Sequence, residues 1–233
     1  MEIIRADKFI SVACGVSRND AKVMIRNNSV AVDGRIIKKA DEKIRSDSSI
    51  LVSGQEFFYK KYIYLIMNKP KGVLSASTDK RVMTVVDLVP ERFRHYQLFP
   101  VGRLDKDTTG LLLITNDGDF AHRVISPKSK TDKLYLATLD GPVNEAHVDL
   151  FRNGIVLSDG TQCMSAVLQP LDDNKAFVTI QEGKYHQVKR MFGTVGLGVN
   201  ELKRLSIGSL ELPFDLNEGD CRELTNEELG KLL

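Results

Sequence analysis

The chain has 233 residues, 42% of them apolar and 27% charged, enough to bury a core in one large domain or in a small and a medium one. It carries no run of about 18 apolar residues and no signal-peptide pattern at its start, so no membrane-spanning helix is expected and the cytoplasm is the expected location. The formal charge is +2, yet the first 208 residues carry +7 and the last 25 carry −5. A basic body with an acidic end suits a polyanion better than the total suggests, although ordinary charge scatter gives the same numbers.

Residues 1–53 read as a small separate module. Ala6 to Ala13 predicts a short helix with Phe9 and Ile10 in the core, ended by Gly15. Ser17 with Asp20 three residues on makes a capping box that opens a second helix, Arg18 to about Asn27, with Ala21, Met24 and Ile25 on its apolar face. Arg18, Lys22 and Arg26 recur every four residues, so they form one basic stripe, either a solvated face or a set of phosphate contacts. Short strands are expected at Val30–Val32 and Ile50–Val52. Residues 54–61 read as a polar linker.

The second domain, 62–233, opens with a strand at Tyr62–Met67 and a Pro-Gly turn at Asn68-Lys69-Pro70-Lys71-Gly72. Residues 98–101, Gly102 to Gly110 and Leu111 to Ile114 read as strand, loop, strand, closed by a hairpin-type turn at Asn116-Asp117-Gly118. Arg103 and Asp105 are two residues apart, so an extended backbone lets them touch and keeps the carboxylate ionised. Lys106 and Asp107 read as solvated loop residues.

Further on, a helix is expected at 119–125 and a strand at 133–139, with Tyr135 turned to a cleft and Leu134 and Leu136 to the core. A helix at 144–152, strands at about 162–169 and 175–181, and a turn feeding a helix around Lys184 to Phe192 follow. A strand near Ser206 to Leu212 and a helix capped by Thr225 with Glu228 complete the chain. Strands dominate and helices fall irregularly between them. The fold class is therefore α+β, with a mixed, mainly antiparallel sheet instead of a doubly wound parallel one. Cys14, Cys163 and Cys221 have neither disulfide nor metal-ligand spacing and read as reduced thiols; no metal site is expected.

Four stretches together resemble the RsuA-like branch of the RNA pseudouridine synthases: Gly-Arg-Leu-Asp followed by Thr-x-Gly-Leu-Leu at 102–112, Asn-Lys-Pro-x-Gly at 68–72, Lys-Leu-Tyr-Leu at 133–136 and His-Gln-Val-Lys at 186–189. The N-terminal module resembles the alpha-L RNA-binding motif of a ribosomal small-subunit protein. That resemblance lies in Arg5-x-Asp-Lys-Phe, Gly-Val-Ser-Arg-x-x-Ala and Val-x-Val-Asp-Gly, with Ala6 and Asn28 as departures that imply a looser core and a strained turn. The resemblance implies a catalytic domain with a central cleft, Asp105 as the catalytic acid group, Tyr135 as the active-site tyrosine and Lys189 as the cation paired with Asp105. For RNA contact it implies Arg103, Thr109, Lys69, Lys133 and Arg190, with Arg5, Lys8, Arg18, Lys22 and Arg26 in the small module. His186 is assigned structural or RNA-contact duty.

The implied partner is small-subunit ribosomal RNA, within an assembly intermediate, acted on by a monomer without a cofactor. Uridine isomerisation places positive charge on the sugar, which a fixed carboxylate stabilises or attacks. Two other readings remain open at this stage: a synthase of large-subunit RNA, and a non-catalytic RNA-binding assembly factor. A paired-carboxylate glycosidase built on Asp105 and Asp107 is disfavoured by their closeness and by the absence of tryptophan.

Overall fold

The computed structural model describes residues 2–172 and 174–232; the expected ends of the two domains, Met1 and Leu233, lie outside the described residues. The chain forms two compact units. One comprises the residues up to Ile63 together with Glu91–Gln97, and the other Tyr64–Pro90 and the chain from Leu98 onward.

In the first unit, β1 (Ile3–Arg5) leads directly into α1 (Ala6–Cys14), followed by α2 (Arg18–Arg26). The expected capping box of Ser17 and Asp20 is present, with both reciprocal hydrogen bonds. The strands are β2 (Val30–Val32), β3 (Arg35–Ile36), β4 (Lys43–Arg45), β5 (Ile50–Val52) and β6 (Gln55–Phe57). β1 pairs with β4, and the other four form a sheet in the order β3-β2-β5-β6. The core gathers Phe9, Ile10, Ile25, Ile44 and Ile50.

Two expectations need correction here, and one at Asn28 is met. The linker at 54–61 is partly sheet, because Gln55–Phe57 pairs with Ile50–Val52 and the rings of Phe57 and Tyr59 pack on the core. Asn28 does sit at φ 54°, the left-handed backbone that the departure from glycine implied. The short segment Glu91–Gln97 returns to this unit: the His95 ring bonds the Val12 carbonyl and fills the space where a Cβ on Gly15 would stand, at 2.8 Å.

The second unit contains β7 (Tyr64–Lys69), β8 (Phe99–Pro100), β9 (Thr109–Thr115), α3 (Gly118–Ile125), β10 (Lys133–Leu139) and α4 (Glu145–Asn153). Then come β11 (Val167–Pro170), β12 (Lys175–Ile180), α5 (Gln187–Thr194), β13 (Val199–Ile207), β14 (Leu210–Glu211), β15 (Cys221–Glu223) and α6 (Asn226–Gly230). The sheet runs β11-β12-β10-β13-β9-β7-β15, with β14 beside β13 and β8 beside β9. Every pairing is antiparallel except β13 with β9, so the mixed sheet is as expected. β9 is buried from Gly110 to Thr115, as befits an interior strand of the sheet.

Local differences have local causes. Asp117 does not make a hairpin turn; its carboxylate accepts from the backbone of Asp119 and Phe120 and caps α3. The strand expected at 206–212 is a hairpin turning at Gly208, and β13 begins earlier. The strand expected from 162 is an isolated bridge at Gln162, with β11 itself starting at Val167.

Candidate active site

The loop 102–108 is folded instead of extended. Gly102 takes φ 76°, and the Thr108 amide donates to the Asp105 carbonyl at 3.1 Å, closing a turn. Ser75 clamps it from outside, its hydroxyl donating to the Leu104 carbonyl at 2.8 Å and accepting from the Leu104 amide at 3.0 Å. Lys69 clamps it from below. Its fully buried ammonium donates to the carbonyls of Pro70, Lys106 and Thr108 at 3.0, 3.2 and 3.0 Å. Burial pulls this lysine down to about 8, against the upward pull of Asp107 and Asp105. Lys69 is thus a scaffold cation and not an RNA contact, which corrects the expectation.

At the end of the loop, Gly110 (φ 98°) pairs in parallel with Arg204. A Cβ here would stand 2.2 Å from the Arg204 carbonyl oxygen, so the close approach of β9 and β13 admits only glycine.

The Asp105 carboxylate, 25% exposed, faces a cleft that Leu104, Thr108, Tyr135, His186 and Val188 also line. Its two oxygens lie 3.5 Å from His186 Nε2 and 3.7 Å from Lys189 Nζ. Lys189 makes its shorter contact, 2.5 Å, with Asp107, and that bond holds the Asp107 carboxyl below the usual range. Asp107 is therefore no bystander of the loop. Arg103, by contrast, is exposed and lines the same cleft without making an ion pair with Asp105, whose partners are His186 and Lys189.

Tyr135 is buried in the same cleft, and Arg204 approaches its hydroxyl at 3.5 Å. Tyr135 turns to the cleft as expected, but the face it shares with Lys133, Ala137 and Leu139 is the buried one, and Leu134 and Leu136, expected in the core, are half-buried on the other. Lys133 is consequently buried too, donating to the carbonyls of Thr131 and Gln181, with its pKa lowered by burial and then by Arg204. It is not an RNA contact either. Thr109 lies in the sheet paired with Lys203, while its neighbour Thr108 lines the cleft with a buried hydroxyl oxygen that has no partner. Arg190 is held by Asp159 at 2.6 Å.

In the first unit, Arg5 and Arg18 both grip the buried Asp7, at 3.1 and 2.7 Å, so two of the five expected basic residues are internally satisfied. Lys8, Lys22 and Arg26 remain exposed. Sequence reasoning missed Asp107, Thr108 and Arg204, and set His186 aside from the chemistry. For His186 a signal existed: three residues before Lys189 at a helix start, it shares that helix face. Among the described residues no cluster of His, Cys, Asp and Glu could hold a metal.

Residues 63–194 match the model of the RNA pseudouridylate synthases. The chain belongs to that family and is an RNA pseudouridine synthase, with the fold the family implies. A crystal structure of a pseudouridylate synthase superposes with a TM-score of 0.70 at 37% identity, covering 99% of this chain and 100% of that one. The chain is similar to the ribosomal small subunit pseudouridine synthase A of Escherichia coli K12, at 39% identity over 99% of this chain and all of that one. It is also similar to the uncharacterised RNA pseudouridine synthase YtzG of Bacillus subtilis 168, at 41% identity over 98% of both.

Proposed function

We propose that this enzyme isomerises a uridine of small-subunit ribosomal RNA, with Asp105 as its catalytic acid group. The observation that carries the reading is a partly sheltered carboxylate, held loosely between His186 and Lys189, at a cleft that also contains Tyr135. Breaking the bond between N1 and C1′ leaves positive charge on the sugar, which Asp105 stabilises or captures. The base then turns, C5 bonds to C1′, the C5 hydrogen leaves as a proton and N1 gains one, so the product is an isomer. Lys189 offsets the cost of drying the carboxylate. Tyr135 gives a ring for the base, and Arg204 steadies its hydroxyl.

The uridine has to leave its stack to reach this cleft, at a cost of a few kcal/mol, and contacts to the RNA backbone offset it. In this reading residues 1–53 are an alpha-L type RNA-binding domain whose exposed Lys8, Lys22 and Arg26 meet phosphates and give salt-sensitive affinity. The choice of small-subunit RNA is supported by the name of the E. coli relative, which matches along the whole chain. The protein acts in the cytoplasm as a monomer, on RNA already carrying some ribosomal proteins.

The test uses small- and large-subunit transcripts tritiated at uridine C5, each supplied naked and partly assembled. Tritium release from the small-subunit RNA alone is expected, larger from the assembled form. Release from the large-subunit RNA alone would overturn the choice of subunit, and release from neither would overturn the ribosomal substrate.

A further inference from the structure

We propose that the Tyr185–His186 ring pair is a stacking platform for the RNA base next to the flipped uridine, a subsite outside the cleft that Tyr135 serves. This rests on the functional reading above. Tyr185 is 76% exposed, so the outer face of its ring is open to a ligand. Its one ring partner among the described residues is His186, with centroids 3.9 Å apart and planes 17° from parallel. His186 in turn stands 3.5 Å from Asp105, so the stack runs from solvent to the carboxylate.

The turn that presents the pair is braced. Glu182, buried, accepts from the Met164 amide, from Gln187 and from Lys184, and Gln187 accepts from the Lys184 amide. His186 sits at φ 47°, a left-handed backbone uncommon for a residue with a side chain, and such strain collects at sites where orientation matters. The neighbouring cations are already engaged, Lys184 by Glu182 and Arg190 by Asp159. What this rim offers RNA is therefore the face of a ring, not a charge.

A uridine that swings out leaves its neighbour with one bare face, and a rigid aromatic plane beside the reacting group is suited to cover it.

The test compares Tyr185→Leu and Tyr185→Phe by tritium release from whichever ribosomal transcript the wild type modifies, with thermal unfolding alongside. Tyr185→Leu is expected to raise KM about 10- to 100-fold, with kcat within about threefold and unfolding unchanged. Tyr185→Phe, which keeps the ring, is expected to recover most of that loss. An unchanged KM in Tyr185→Leu, a loss confined to kcat, or a Phe variant as poor as the Leu variant would overturn the platform while leaving the enzyme assignment standing. A wild type inactive on both transcripts would overturn the functional reading and this inference with it.

Discussion

Two aspartates in this molecule are each flanked by two nitrogen-bearing side chains, and they are put to opposite uses. Asp7, in the first unit, is 1% exposed and gripped by Arg5 and Arg18 at 3.1 and 2.7 Å, and the Arg5 hydrogen bond leads in holding its carboxyl down at about 2. Asp105, in the second, is 25% exposed, with His186 and Lys189 at 3.5 and 3.7 Å. Saturated at short range, Asp7 has nothing left to offer and serves as a rivet between α1 and α2. Asp105 has neighbours too far away to consume its lone pairs, which is what a group that must engage a sugar requires.

The comparison is broken most severely at Asp105 itself. Asp105→Asn is expected to lower pseudouridine formation by about 10⁴-fold or more, the scale seen when a residue acting on the reacting atoms is removed. Thermal unfolding and RNA affinity should stay near wild type, because the side chain holds no structural bond at short range. A folded, RNA-binding variant with measurable product would strip Asp105 of its role.

A smaller effect is expected one contact away. Lys189→Met should cost about 10²- to 10³-fold in kcat, the range for removing one preorganised electrostatic partner, while Lys106→Met, an exposed side chain in the same loop, should change kcat by less than about twofold. Equal losses in the two would remove Lys189 from the ion-pair role.

The smallest effect on catalysis, and the largest on stability, belongs to the rivet. Asp7→Asn should destabilise the first unit by about 1–3 kcal/mol while leaving kcat untouched. Because the folded pKa of Asp7 lies below its ordinary 3.8, its contribution is present above that pH and is lost as pH falls through about 2. Chemical unfolding followed from pH 5 to pH 2 should therefore slope less in Asp7→Asn than in the wild type, and parallel slopes would refute the assignment.

Much of this was legible in the sequence where the cause is local. The capping boxes at Ser17 and Thr225 and the central apolar run of β9 follow from neighbours along the chain. The cleft was legible through spaced motifs, which bring Asp105, Tyr135 and Lys189 together. What escaped is set by packing between distant strands. Nothing near Lys69 or Lys133 in sequence says that β7 and β10 will bury them, since both read as ordinary surface cations until the sheet closes around them. The course of the 102–108 loop escaped for a related reason: Gly102 and the Asp105–Thr108 turn curl a segment that alternation treats as straight.

The narrow gap at Gly110 ties the two halves of the chemistry to one another. Five residues before it stands the carboxylate, and the residue across from it, Arg204, reaches the phenol of Tyr135. A single methyl group added there would wedge β9 away from β13 and part the acid from the ring. The alignment of the two groups thus depends on one backbone contact, that between Gly110 and Arg204.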